Sequence, residues 1–214
     1  MSVLEELSQR YSTDKSHHTH YLENYEAWLS PLRDSPISLL ELGIRDGGSL
    51  QVWRDYFPKA QIARLDILPA SVDDASGRIH VFQGEQQDKR VLDEIARAVA
   101  PDGFDVIIDD CSHIARFTRQ SFEHLFEHRL KPGGFYIIED WGTGYWDAWP
   151  DGAAFVDMSF PDKVSTKEKL AYRMADRMRL SPSTLLAALK RRLVAKNSRS
   201  HNVGMVGFIK ELVD

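Results

Sequence analysis

The chain has 214 residues, 43% of them hydrophobic and 28% charged, with a formal net charge of −5. That length suits one α/β domain with a small accessory segment, not two independent cores, and the acidic balance argues against nucleic acid as the main partner. No apolar run nears bilayer length, the N-terminus lacks the basic-then-apolar layout of a secretory signal, and the single cysteine, Cys111, excludes an internal disulfide framework.

These features describe an enzyme-sized domain expected in the cytoplasm, without a membrane partner. Residues 2–29 read as helical, opened by a capping box of Ser2 and Glu5 and interrupted by the polar, His-rich stretch STDKSHHTH. PISLLEL, at 36–42, is a buried strand that leads into the loop GIRDGG. SLQVWRDYF then sets Leu50, Trp53 and Phe57 on one helical face and stops at Pro58. QIARLDI (61–67) and IHVF (79–82) are the second and third strands; LPASVDDASGR between them is too short and polar for an ordinary crossover helix. The helix DKRVLDEIARAV turns Val91, Leu92, Ile95 and Val99 inward. FDVIID is strand four, and the helix from about Ala115 to Leu130 is predicted to bury Phe122, Leu125, Phe126 and Leu130. KPGG then turns the chain into strand five, FYIIED.

Apolar strands alternating with one-sided helices predict an α/β fold: a mostly parallel sheet with helices on both faces. Beyond residue 141 the pattern changes to WGTGYWDAWPDGAAFVDMSFPDK, which is aromatic and contains Gly and Pro. Two helices are expected next, opened by Ser165 with Glu168 and by Ser181-Pro182, and VGMVGFIKEL reads as a closing antiparallel strand. The expected organisation is one domain over 1–214, with a helical cap at 1–30 and a lid and substrate-binding insertion at 141–198.

In open parallel sheets, ligands sit beyond the carboxyl ends of the strands, where the polar clusters of this chain fall. Strand one leads into ELGIRDGGS, with Glu41, Gly43, Gly47 and Gly48. Glycines allow close backbone approach, but the spacing is not G-x-G-x-x-G, so the dinucleotide fingerprint fails. Asp66, ending strand two, suits gripping a ribose diol, and Gln86 and Asp88 beyond strand three suit the edge of an adenine. Each alone reads equally well as a turn glycine or a helix cap; their order along the sheet favours an adenosine-type cofactor.

Strands four and five carry a sharper signal. FDVIIDDCSH ends in Asp109, Asp110 and His113, and FYIIEDW ends in Glu139 and Asp140. Carboxylates so crowded repel one another unless a cation sits among them, and all-oxygen ligation suits Mg²⁺ or Mn²⁺. His113 opens the next helix, and imidazole suits a general base near neutral pH. One acid there is more often a helix cap. Three acids and a histidine on neighbouring strand ends point to a metal-assisted transfer.

With STDKSHHTHYLENYE, LLELGIRDGGS, ARLDI, FQGEQQD, FDVIIDDCSH and LKPGGFYIIEDWGTGYW in hand, the chain resembles the metal-dependent class I S-adenosylmethionine (SAM) methyltransferases that O-methylate sugars. The likeness is to the macrocin and mycinamicin sugar O-methyltransferases and the related rhamnosyl O-methyltransferase/cephalosporin hydroxylase group. It implies a Rossmann-like class I methyltransferase fold, with Asp110, Glu139 and Asp140 on Mg²⁺ and His113 as base. It further implies Thr13, Lys15, Tyr21, Glu41, Gly43, Gly47, Ser49, Asp66, Gln86, Asp88 and Asp109 on the SAM side. Trp141, Thr143, Tyr145 and Trp146 fall to the substrate side.

Two departures stand out: Thr19 replaces a usual His, leaving His17, His18 and His20 as candidates, and Gly144 replaces the Ser of the common TSYW. The chain is also short for this group and is expected to lack the extra N-terminal domain of some relatives. Trp141, Tyr145, Trp146 and Trp149 suit stacking on a sugar or aglycone, or anchoring a lid. Lys190, Arg191, Arg192, Lys196 and Arg199 suit a solvated helix face more than a sugar-nucleotide phosphate. Cys111 reads as a filler. The expected reaction is SAM-dependent methylation of a sugar hydroxyl on a glycosylated natural product, a sugar nucleotide or a polysaccharide. The alternatives are a catechol-type O-methyltransferase, a nicotinamide-dependent oxidoreductase and a SAM-binding accessory protein. A homo-oligomer is left open.

Overall fold

The computed structural model describes residues 2–11, 13, 15, 19–44, 47–69, 72, 74–146, 148–153 and 204–213. They fall into two compact units. The first is made of residues up to Ser112 together with Phe117–Asp140, and the second of His113–Arg116 with the described residues from Trp141 onward.

The first unit opens with α1 (Val3–Arg10) and α2 (Thr19–Leu29). The capping box forms as read: Ser2 Oγ accepts from Glu5 N at 3.2 Å, and Glu5 Oε2 accepts from Ser2 N at 2.6 Å. There follow β1 (Ser38–Leu42), α3 (Gly48–Tyr56), β2 (Gln61–Asp66), β3 (Ile79–Gln83), α4 (Lys89–Val99), β4 (Phe104–Asp109), α5 (Ala115–His128) and β5 (Leu130–Ile138). The sheet order is β3-β2-β1-β4-β5, with every pairing parallel. The chain walks outward from β1 to β3 and returns to β4, so the direction of winding reverses between β1 and β4. Residues 67–78, joining β2 to β3, carry no helix among their described positions.

Successive strand residues point to opposite faces, and each face has its own core. On one, Leu39, Ile62, Val106 and Ile108 meet Leu4 of α1, Leu22 of α2 and Leu50 and Trp53 of α3. On the other, Leu40, Leu42, Ala63, Leu65 and Ile107 meet Leu92 and Ile95 of α4 and Leu125 of α5.

Two local readings change. Phe104 pairs with Leu130 and Val106 with Phe135, so β5 begins earlier than expected and KPGG is looped out of the ladder inside it. The buried stripe of α5 is Thr118, Ser121, His124 and Leu125, while Phe126 is exposed and stacks on Phe122 at 5.0 Å. Polar residues displace Phe126 from the buried face because they have partners there: Ser121 Oγ donates to Asp109 Oδ2 at 3.1 Å, and His124 Nε2 lies 2.8 Å from Asp93 Oδ1.

The second unit contains a 3₁₀ turn, Trp141–Tyr145, a helical turn at 150–153, and α6 (Gly204–Val213). The predicted antiparallel C-terminal strand is this helix. Met205, Val206, Gly207 and Phe208 are all buried in succession, which a strand with one wet face does not allow. Asp151 Oδ2 accepts from Met205 N at 2.9 Å, supplying a first-turn amide with the partner a helix start needs, and also accepts from Ala115 N at 2.7 Å. A Cβ at Gly144 would lie 2.9 Å from Val206 Cγ2, so glycine there lets the 3₁₀ turn approach α6. No helix among the described residues is long and apolar enough to cross a membrane. The helices expected from Ser165 and Ser181, the basic stretch at 190–199, His17 and His18 lie outside the described residues.

Candidate functional site

The acids gather where the winding reverses. Leu42, Asp109 and Ile138 are register partners across β1, β4 and β5, which sets Asp110 and Glu139 side by side one residue later. Asp110 N donates to Leu42 O at 2.9 Å and Glu139 N to Asp109 O at 3.0 Å, extending the ladder to the acids themselves.

Into this cluster comes Lys15, from the segment between α1 and α2. Its buried ammonium lies 2.6 Å from Glu139 Oε2, 2.8 Å from Asp110 Oδ2 and 3.9 Å from Glu41 Oε1. Tyr25 donates its hydroxyl to the other oxygen of Glu139. Tyr21 donates to Asp140 Oδ1 at 2.8 Å and accepts from Asp140 N at 3.2 Å. Carboxylate oxygens of Asp110 and Asp140 come within 4.8 Å of one another. Lys15 and Tyr21, assigned by resemblance to the SAM side, are thus bonded to the acids.

Charge explains the titration of this group. Burial works to lower the Lys15 pKa, but Glu139, Glu41 and Asp110 together outweigh it and hold the ammonium above its ordinary range. Burial pushes Glu139 above the usual carboxylate range; Lys15 pulls it down and Asp110 pushes it further up. Burial likewise lifts Glu41 to about 7 against the pull of Lys15. The directions agree once the charges are counted, because one ammonium is set against three acids. Hard oxygen donors in a pocket short of positive charge fit a divalent cation.

Among the described residues, the non-glycine positions with positive φ are His113 (52°) and Asp140 (48°), both site candidates. Asp and His tolerate this left-handed region better than most residues, yet holding it still costs free energy and marks a constrained position.

The other acid of the β4 pair faces the opposite way. Asp109 is buried and accepts from Gln86 Nε2 at 3.3 Å, Ser121 Oγ at 3.1 Å and Tyr136 Oη at 3.1 Å; burial raises it to about 6. Gln86 Oε1 accepts from Ser112 N at 3.0 Å, so this amide braces the end of β4 from both sides. Asp88 caps α4, accepting from Arg90 N at 2.9 Å. Burial, Asp109 and Asp66 drive the Cys111 thiol to about 12, in keeping with a filler.

The glycine loop has two kinds of glycine. A Cβ at Gly43 (φ 84°) would fall 2.6 Å from Cys111 Cα, so that glycine serves the close approach of β1 to the end of β4. Gly47 (φ 77°) precedes α3 without a side-chain cap, and a Cβ there would meet only Val72 Cγ2, at 3.7 Å. An α-helix start left without such a cap suits an anionic ligand group. Ser49 Oγ donates to Glu41 Oε2 at 3.0 Å, and Thr13 is buried, its Cα 3.5 Å from where a Gly48 Cβ would sit. Asp66 accepts from Ile44 N at 2.7 Å and from Leu68 N at 2.9 Å, one oxygen each, which leaves lone pairs for a diol.

Between α2 and β5 lies an apolar cavity of about 550 Å³, lined by Tyr21, Tyr25, Trp28, Phe135, Ile137 and Glu139 among others. Within the second unit, Trp141, Tyr145 and Trp146 are exposed, Thr143 is buried, and the His113 ring stands edge-on to Trp149 with centroids 5.2 Å apart.

Tyr25 was not among the predicted site residues. Its signal is the four-residue spacing from Tyr21, which puts both phenols on one face of α2.

No protein-family profile matches the chain. It is 43% identical over 152 residues to mycinamicin VI 2''-O-methyltransferase of Micromonospora griseorubida, covering 67% of this chain and 37% of that protein. Demethylmacrocin O-methyltransferase of Streptomyces fradiae is 38% identical over 151 residues, with the same coverage of 67% and 37%. Among solved structures, the MycE methyltransferase of mycinamycin biosynthesis in complex with Mg and SAH superposes with a TM-score of 0.62 at 34% identity, over 77% of this chain and 48% of that one. The same enzyme with Mg, SAH and mycinamycin VI gives 0.60 at 36% identity, over 73% and 48%. The chain therefore spans between a third and a half of the length of these relatives, and its sheet is that of the class I methyltransferases.

Proposed function

The chain is a homologue of the sugar O-methyltransferases of macrolide and tetracenomycin pathways, and from that premise we propose that it transfers a methyl group from S-adenosylmethionine to a hydroxyl of a glycosylated small molecule, with Mg²⁺ or Mn²⁺ held by Asp110, Glu139 and Asp140. What supports the reading is that carboxylate oxygens of Asp110 and Asp140 come within 4.8 Å of one another, while Glu139 is joined to Asp110 through the Lys15 ammonium, a single positive charge among several acids.

Glu41, Ser49 and the uncapped start of α3 at Gly47 would take the amino-acid end of the cofactor, with Thr13 beside them, and Asp66 its ribose. Gly43 keeps β1 and β4 close enough for both ligands to share one edge of the sheet. When bound, the divalent ion supplies a lowered pKa to a coordinated hydroxyl, and the cofactor supplies a methyl already activated by its cationic sulfur. The protein's own work is then chiefly positioning. Tyr21 fixes the backbone and carboxylate of Asp140 together, and Tyr25 orients Glu139. His113, three residues after Asp110, is the proposed base, and Trp141, Thr143, Tyr145 and Trp146 belong to the acceptor side.

The test is methyl transfer from SAM to a panel of deoxysugar glycosides, sugar nucleotides and catechols, read by mass spectrometry with Mg²⁺ present or chelated. Methylated glycoside that disappears with EDTA is the expected result. Methylation of catechols alone would move the acceptor to a phenolic diol. Thermal stabilisation by NADPH and not by SAM would end the methyltransferase reading.

A further inference from the structure

We propose that Lys15 is a built-in counter-ion of the metal site, whose ammonium neutralises Asp110 and Glu139 until a divalent cation arrives and is displaced from them when it binds. The inference rests on the metal reading above and adds a competitor to it.

The geometry carries it. Lys15 is buried in a cluster of acids, with Nζ at 2.6 Å from Glu139, 2.8 Å from Asp110 and 3.9 Å from Glu41. An ammonium has three donors and no acceptor, and at least two of the three are spent here on carboxylate oxygens of the proposed ligand set. A divalent cation seeking the same oxygens is repelled by the positive charge already seated on them, and must compete with its hydrogen bonds for their lone pairs.

Two supports make the seat specific. Tyr25 holds the second oxygen of Glu139, so that carboxylate is fixed from both ends while Lys15 is in place. Lys15 enters from the segment between α1 and α2, so its hydrogen bonds to the acids are no part of the β1–β4–β5 ladder. Buried acids left without any cation are strongly destabilising, so a protein that loads and loses its metal gains from a tethered charge that fills the gap. The tether also sets the metal affinity, since the ion gains only the difference between its own contacts and those of the ammonium.

The experiment is Mn²⁺ titration by electron paramagnetic resonance, with melting curves in EDTA and in Mn²⁺, on the wild type and Lys15→Met. Lys15→Met is expected to melt lower than wild type in EDTA, to recover in Mn²⁺, and to bind Mn²⁺ about tenfold more tightly or better, the factor set by one charge-assisted hydrogen bond. Lys15→Gln, which keeps a polar tip without the charge, is the second variant should Lys15→Met not fold in either condition. Unchanged or weakened Mn²⁺ affinity in the folded variant overturns the inference, whatever the melting curves do. Absence of Mn²⁺ binding by wild type and variants alike removes the metal reading itself, and the competition with it.

Discussion

The hydroxyl of Tyr21 holds Asp140 twice, donating to its Oδ1 at 2.8 Å and accepting from its backbone amide at 3.2 Å. Asp140 sits at φ 48°, so one phenol secures both an unfavourable backbone conformation and the carboxylate it carries. Removing the hydroxyl should cost more than one hydrogen bond. Tyr21→Phe is expected to lower Mn²⁺ affinity about 10-fold or more, the range found when a ligand loses its orienting partner. A titration in which Tyr21→Phe matches wild type would show that Asp140 needs no such support.

Asp110 is shared, bonded to Lys15 and with a carboxylate oxygen within 4.8 Å of one of Asp140. Asp110→Asn should reduce methyl transfer at least about 100-fold, the upper range for loss of a group that merely orients a ligand. The residual rate should no longer respond to EDTA. A variant that stays chelator-sensitive would place the ion elsewhere.

His113→Ala should lower the rate about 10²- to 10⁴-fold, as for loss of a general base. Binding of SAM and Mn²⁺, followed by calorimetry, should be retained. Loss of metal binding together with rate would instead make His113 a ligand.

Gly43→Ala tests the backbone. The new Cβ would meet Cys111 Cα at 2.6 Å at a φ of 84°, so the loop or the end of β4 must shift. A loss of roughly 2–3 kcal/mol in urea unfolding is expected, and metal affinity should fall with it because Asp110 precedes Cys111. Gly47→Ala, whose Cβ would make only an ordinary contact with Val72 Cγ2 at 3.7 Å, should keep the β4 end intact and pay only its backbone strain.

Asp109 gives a pH dependence with a definite sign. Its folded pKa of about 6 lies above the ordinary carboxylate value of 3.8 because burial disfavours the charge. Stability from this group is therefore present at low pH and lost as pH rises through the interval between those values. Relative to Asp109→Asn, wild-type stability should fall by about 1 kcal/mol from pH 5 to pH 7. Parallel denaturation curves at the two pH values check this, and an unchanged difference between the proteins would contradict it.

The strands and most of the sheet were legible because each strand is a short apolar run closed by a polar cluster, and parallel pairing follows from the helices between strands, except between β2 and β3, where the described residues of the connection carry none. The acids Asp110, Glu139 and Asp140 were legible for the same reason, as charges at the ends of buried segments. What stayed hidden depends on distant partners. Nothing near Lys15 in sequence announces Glu139, nothing near Gln86 announces Asp109, and Ser121 claims the buried face of α5 from Phe126 only because Asp109 waits there. The C-terminal helix was misread for a related reason: its β-branched residues suggest a strand, while the carboxylate that receives its first-turn amide belongs to Asp151.

That same oxygen has a second tenant. Asp151 Oδ2 takes the amides of both Met205 and Ala115, and Ala115 is two residues from His113. One carboxylate oxygen therefore ties the start of α6 to the start of α5, two residues after the proposed base.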